Sequence, residues 1–274
     1  MKALSVTVNT AQIDQFMFLF STDIDGTVYD GPETAKEFAS FWGNLKESEN
    51  PPILAYNTGR ALDDAKNLIA TTDLPEPDYL ICGVGTEMFD WNNGSQLSAW
   101  HESLSEGWSF EKVVEIVLAT AQEIEMQPEA CQNPHKCSWY WHNKNDSDLE
   151  ALRNALAAAG LNAQVVYSSR KDLDILPNGA NKGNAVSWLW TWLDRQSLPI
   201  VVAGDSGNDS SMFQVAGVNG ILVSNAEEAL CNAVPSDSSY FASSPCAYGV
   251  VEGLAHFSQA HSPEATDSPA EDVV

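Results

Sequence analysis

Two pairs of aspartates, each closing a short apolar run, are the first residues in this sequence whose spacing suggests chemistry. Asp23 and Asp25 stand in FSTDIDGT, and Asp205 and Asp209 in AGDSGND. Side chains two apart in an extended chain share a side, so Asp23 and Asp25 point the same way at the end of a strand. Gly26 then lets the backbone turn without a Cβ clash. Carboxylates this close repel unless a cation or a proton is shared. Hard divalent cations such as Mg²⁺ take oxygen ligands, and Asp23 and Asp205, on neighbouring parallel strands, would supply two. Each segment alone also reads as an acidic turn, with Asp209 a helix cap before Ser210. Two such strand-end pairs are too many for capping.

An anion site is suggested alongside. Asn57-Thr58-Gly59-Arg60 falls between a strand and a helix, where a hydroxyl and free backbone N–H groups can hold a phosphate. Lys182, in NKGN, starts a later helix and offers a compact positive charge to the same phosphate. Taken singly, a helix-starting lysine is only solvated.

Bringing four such loops together requires strands that end side by side. Short apolar runs alternate with amphipathic stretches, which predicts an α/β fold with a mainly parallel sheet. Strands are expected at 17–22, 53–57, 79–82, 200–203 and 220–223. Helices are expected over 33–46, from Ala61, and over 182–194, 210–215 and 249–257. Gly83-Val84-Gly85 bends the chain after the third strand. From about Phe89 to Pro177 the texture changes, with helical patterns at 110–125 and 147–159 and strand-like runs at 138–142, 164–167 and 173–176. This is an inserted α+β domain at 89–177, dividing a core made of 1–88 and 178–257. The tail at 258–274, rich in Ser, Pro, Asp and Glu, reads as disordered.

Composition excludes several classes. The 274 residues include 38 acidic and 13 basic side chains, a formal charge of −25, so nucleic acid and anionic lipid are poor partners. The N-terminal MKALSVTVNTAQIDQ lacks the apolar core of a signal peptide, and the run at 16–20 is too short to span a bilayer. Five cysteines with no C-x-x-C pair fit free thiols in a reducing cytoplasm.

Taken in order, D-x-D-x-T at 23–27, Thr58, Lys182 and G-D-x-x-N-D at 204–209 resemble the haloacid dehalogenase superfamily of phosphohydrolases. A narrower resemblance, from about Phe18 to Phe257, is to the sucrose-phosphate phosphatase family and the related mannosylfructose-phosphate phosphatases. Tyr56–Arg60, Val84–Glu87, Gln132–Pro134, Ser168–Pro177, Asn181–Ala185 and Gly204–Asp209 carry it. His135 and Trp139–Trp141 give a more aromatic run than the sucrose enzymes have, which leaves the sugar open between the two.

The resemblance implies a Rossmann-like doubly wound core with a type-2 cap. It also implies hydrolysis of a disaccharide phosphate, sucrose 6-phosphate first, with Mg²⁺ as cofactor. Asp23 would be the nucleophile and Asp25 the general acid and base. The metal would be held by Asp23, the Asp25 carbonyl and Asp205, with Asp209 orienting a bound water or Lys182. Thr58, Gly59 and Lys182 would hold the phosphoryl oxygens.

Substrate contacts are expected from Arg60, Asn208, Thr86 and Glu87, and from Lys136, Trp139, Tyr140, His142, Asp172 and Asp174 in the cap. Alternate residues of 138–142 must face the cap's own interior, so about half of these are structural. A synthase that makes the sugar phosphate is a further expected partner. Two rivals are a glycosyltransferase, where D-x-D also binds metal, and a sugar-phosphate-binding module without catalysis.

Overall fold

The computed structural model describes residues 17–194 and 197–260. The first part of the core runs β1 (Leu19–Thr22), α1 (Pro32–Lys46), β2 (Ile53–Asn57), α2 (Leu62–Thr71), β3 (Tyr79–Cys82), β4 (Glu87–Asp90), β5 (Ser95–Gln96) and α3 (Ser98–Leu104). The insertion follows as α4 (Phe110–Thr120), β6 (Glu125–Met126), β7 (Cys137–Tyr140), α5 (Asp146–Ala158), β8 (Ala163–Ser168) and β9 (Asp172–Pro177). The core resumes with α6 (Lys182–Trp192), β10 (Ile200–Gly204), α7 (Ser210–Phe213) and β11 (Val218–Leu222). It closes with α8 (Glu228–Ala233), β12 (Ser239–Phe241) and α9 (Cys246–Ala260).

Strand alternation sorts the core side chains onto two faces. Phe20, Leu54, Tyr56, Leu80, Val201 and Ala203 pack with α1, α2 and α9. Their neighbours Leu19, Ala55, Ile81, Ile200 and Val202 pack with α3, α6, α7 and α8. A sheet buried on both faces must be covered by helices on both, the doubly wound arrangement. α1 shows how sequence commits to this: Pro32 opens it, Glu33 and Lys46 suit its two ends, and Ala35, Phe38, Phe41, Trp42 and Leu45 form its buried stripe.

The strand order is β12-β11-β10-β1-β2-β3-β4-β5. All pairings from β12 to β3 are parallel, and β4 and β5 add on antiparallel. The chain winds outward from β1 in one direction and returns to β10 on its other side. Ligands in open α/β sheets bind beyond the strand ends at such a switch point, and β1 and β10 carry the two aspartate loops.

The second sheet has four strands in the order β6-β7-β9-β8, all antiparallel. One face is covered by α4 and α5 through Val113, Val117, Leu149, Leu152 and Leu156, against Trp139, Trp141, Leu173 and Ile175.

Three expectations are corrected in detail. Residues 89–104 join the core rather than the insertion, because β4 pairs along β3 and Leu97, Trp100 and Leu104 pack under the core sheet. The helix expected over 110–125 stops at Thr120, and Glu125 opens an edge strand against Tyr140. The closing helix starts at Cys246 and continues through Ala260, past the expected start of the tail. The rest of that tail lies outside the described residues.

Candidate active site

The register of β1 and β10 assembles the acidic cluster. Thr22 lies beside Ala203, and the Asp23 N–H donates to the Ala203 carbonyl at 3.1 Å. Asp23 and Asp205 therefore emerge together just past the strand ends. Gly26 makes the approach close: its φ is +74°, and a Cβ there would run into the Asp205 carboxylate.

Lys182 lies beneath this cluster, fully buried. Its Nζ donates to Asp23 Oδ1 and to Asp209 Oδ1, each at 2.6 Å. Asp209 Oδ2 accepts the N–H groups of Asp205 and Ser206, each at 3.0 Å. Asp209 is thus committed on both oxygens, while Asp205 receives one long contact from the Thr27 hydroxyl at 3.5 Å. Asn181 caps α6 by accepting the Asn184 N–H at 2.8 Å. Asn57, given no role of its own within Asn57-Thr58-Gly59-Arg60, donates to the Lys182 carbonyl at 2.9 Å and ties the start of that helix to β2.

Charge in the cluster is unbalanced. Burial, only partly countered by Lys182, pushes the Asp23 carboxyl up to about 7, with Asp209 adding to the rise. Burial and Asp209 likewise push Asp205 up to about 6. Burial acts to lower the Lys182 ammonium, but Asp209 and Asp23 outweigh it and hold it above the ordinary lysine value. The lysine stays charged, and the surplus is negative.

Carboxylate oxygens of Asp23, Asp205 and Asp209 lie within 4.8 Å of one another, and no other such group of three occurs among the described residues. All donors are hard oxygens, the set that suits a small divalent cation. The arrangement can hold one.

Asp25 pairs with a different cation. Arg60 grips it with a two-point fork, Nε to Oδ2 at 2.7 Å and Nη2 to Oδ1 at 2.6 Å, and reaches Asp64 through Nη1 at 2.7 Å. Thr58 is buried, and its hydroxyl accepts the Arg60 N–H at 3.2 Å, which leaves the hydroxyl proton to donate. Asp23, Asp25, Gly59, Arg60, Asp64, Asp205, Ser206 and Asn208 line one cleft of about 470 Å³.

The remaining candidates are not among the residues lining this cleft. Thr86 is buried; its hydroxyl donates to the Gly83 carbonyl and accepts from the Asn133 amide, each at 2.9 Å. The same amide reaches Glu87 at 3.2 Å, and burial raises the Glu87 carboxyl. Asn133 is thus a link between core and cap that sequence reasoning missed as a contact, although it lies within Gln132–Pro134.

In the cap, Trp139 and Trp141 point into the interior, while Ser138, Tyr140 and His142 alternate with them. Lys136 pairs with Asp174 at 3.2 Å, and the Ser138 hydroxyl donates to Asp174 at 2.6 Å. Asp172 accepts from Gln127 at 3.2 Å. Tyr140 stacks on His142, with ring centroids 6.4 Å apart.

Residues 16–258 match the family model described as sucrose-6F-phosphate phosphohydrolase. The mannosylfructose-phosphate phosphatase of Agrobacterium fabrum is 38% identical over 87% of this chain and 96% of its own length. Sucrose-phosphatase 1 of Nicotiana tabacum is 33% identical over 86% of this chain, which spans 58% of that longer protein. A glucosylglycerol-phosphate synthase of Pseudomonas anguilliseptica matches at 28% over 87% of this chain, but over 30% of its own length.

Among solved structures, the sucrose-phosphatase of Synechocystis sp. PCC6803, in complex with sucrose and phosphate, superposes with a TM-score of 0.76. It is 30% identical and covers 88% of this chain and 98% of its own. A haloacid dehalogenase-like hydrolase of Bacillus subtilis, 18% identical over 86% of this chain and 90% of its own, shares the fold with a TM-score of 0.62. The chain is a phosphatase and belongs to the sucrose-6F-phosphate phosphohydrolase family.

Proposed function

We propose that the protein is a Mg²⁺-dependent phosphatase that hydrolyses a disaccharide phosphate through an aspartyl phosphate on Asp23. The observation that carries this reading is the buried Lys182 bridging Asp23 and Asp209 beside Asp205. That arrangement holds a nucleophilic carboxylate in place next to an oxygen-rich cation site. Asp23 attacks phosphorus, the bond to the sugar oxygen breaks, and water then releases inorganic phosphate, so one hard displacement becomes two easier ones.

Asp25 gives a proton to the departing sugar oxygen and takes one from the attacking water. The Arg60 fork engages both Asp25 oxygens, so proton donation to the departing sugar oxygen requires leaving the fork. Asp23 and Asp205 would hold the Mg²⁺, with the Asp25 carbonyl as the resemblance implies; bound there it offsets negative charge on phosphate and nucleophile. Asp209 acts on Lys182 rather than on the metal. Thr58, the Gly59 N–H and Lys182 take the phosphoryl oxygens. Residues 105–177 form the cap, whose open sheet face presents Lys136, Tyr140, Asp172 and Asp174 to the sugar.

Sucrose 6-phosphate is the first substrate to try. Mannosylfructose phosphate is the second reading, supported by the 38% identical relative. The match within a larger synthase supports association with the enzyme that makes the sugar phosphate. Five unpaired cysteines support a cytoplasmic setting, and no helix among the described residues is long and apolar enough to cross a membrane.

The test is phosphate release from sucrose 6-phosphate, mannosylfructose phosphate, trehalose 6-phosphate and glucose 6-phosphate, with Mg²⁺ and with EDTA. Mg²⁺-dependent release favouring one disaccharide phosphate supports the reading. Tight binding without release from any of them would instead mark a binding module.

A further inference from the structure

Gly83, Val84 and Gly85 all occupy the left-handed region, with φ of 57°, 60° and 88°. Glycine enters that region freely, whereas a β-branched residue does so only when its surroundings force it. Val84 is the one β-branched residue with positive φ among the described residues.

The surroundings are specific. The Val84 N–H donates to the Thr58 carbonyl at 3.1 Å, the Gly83 N–H to the Arg60 carbonyl at 2.9 Å, and the Thr58 N–H to the Ile81 carbonyl at 2.9 Å. The arch after β3 is therefore laced to the loop after β2. Val84 Cγ2 stands 3.8 Å from where a Cβ on Gly59 would lie, so its methyl faces the side of Gly59 that lacks a side chain. On the other side, a Cβ on Gly85 would come within 2.5 Å of the Asn181 carbonyl oxygen. Trp100 Nε1 clamps the Gly85 carbonyl at 3.1 Å. Asn181 caps the helix that begins with Lys182.

The geometry points to Val84 as a positioning residue for phosphate. Its branched side chain, held in a disfavoured backbone conformation, sets the Thr58–Gly59 turn at a fixed distance from Lys182. This rests on reading Thr58, Gly59 and Lys182 as the phosphate cradle. Strained backbone persists where the structure around it over-determines it, and it gathers at binding sites. A glycine would adopt the same φ without strain, so what valine adds is the branched side chain facing Gly59. The arch thus aligns two groups that reach the phosphate from different strands, and small misplacements of such groups carry large kinetic penalties.

The test compares Val84→Gly, which relieves the backbone and removes the methyl, with Val84→Thr, which keeps the branch in the same shape. Inorganic phosphate affinity is measured by calorimetry in Mg²⁺, and KM and kcat with sucrose 6-phosphate and mannosylfructose phosphate. Val84→Gly is expected to fold normally, to bind phosphate about tenfold more weakly and to lose kcat/KM by a similar factor. Val84→Thr is expected to recover most of both losses.

Affinity and kcat/KM within about twofold of wild type in Val84→Gly, or equal losses in both variants, overturn the role. If the wild type hydrolyses neither disaccharide phosphate but phosphate affinity shifts as expected, the substrate reading fails and the role of Val84 stands. A wild type that binds no phosphate overturns both.

Discussion

A carboxylate is a nucleophile only while it is ionised, and burial works against that at Asp23, whose carboxyl is pushed up to about 7. The same holds at Asp205, pushed up to about 6. A carboxyl raised in the folded state contributes stability that is present at low pH and is lost as pH rises through the folded value. Without a divalent ion, then, these two groups destabilise the fold progressively between about pH 4 and 7. His101, lowered to about 4 by burial, and His135, lowered by burial, act in the opposite sense over most of that range, up to the ordinary histidine value. The Mg²⁺ dependence separates them: the rise in thermal midpoint on replacing EDTA with Mg²⁺ should grow as pH increases through 6 to 7. A rise independent of pH would detach the metal from these carboxylates.

At the same scale, Asp23→Asn should lower turnover by on the order of a thousandfold or more while phosphate binding survives. Turnover retained in that variant would remove the covalent route.

At the scale of elements, α6 delivers Lys182 by fitting closely against α7. A Cβ on Gly183 would strike the Ser211 carbonyl, and the Gly183 N–H donates to the Ser211 hydroxyl at 2.9 Å. Gly183→Ala should therefore displace the helix start, cost about 1–3 kcal/mol in denaturant unfolding and lower kcat more than it raises KM. Unchanged stability and kcat would show that the helix can shift freely.

Elements of this kind were legible where a pattern is long enough to read. β2 and β3 fall at their expected bounds, because continuous apolar runs flanked by breakers leave little choice. β5 and β6, with two residues each, and β12, with three, carry no periodicity and went unread. The loops of the candidate site were legible because each is contiguous. The Asn133–Thr86 bond joins residues 47 apart, and nothing local marks either side chain as the other's partner. The Arg60 grip on Asp25 was hidden for the same reason: the sequence shows two charges, and only the fold shows which pairs form.

The molecule as a whole carries a formal charge of −25 and takes an anionic substrate, so its field opposes encounter. Salt screens such a field over about 10 Å at 0.1 M. With Mg²⁺ saturating, kcat/KM should rise with added KCl at low ionic strength while kcat stays level. A steady fall would place a net positive potential at the cleft mouth.

The cleft repeats this imbalance in miniature. Four aspartates (23, 25, 64 and 205) line it and Asp209 lies buried beneath, against two cations, Arg60 in the lining and Lys182 buried below, each already shared between two of the aspartates. A free phosphate ester approaching that surface meets like charge and no uncommitted ammonium or guanidinium. The order of events is thereby built into the charges: the divalent ion joins first and the ester second. Steady-state kinetics should then show compulsory-order addition, with apparent affinity for the sugar phosphate tracking Mg²⁺ concentration.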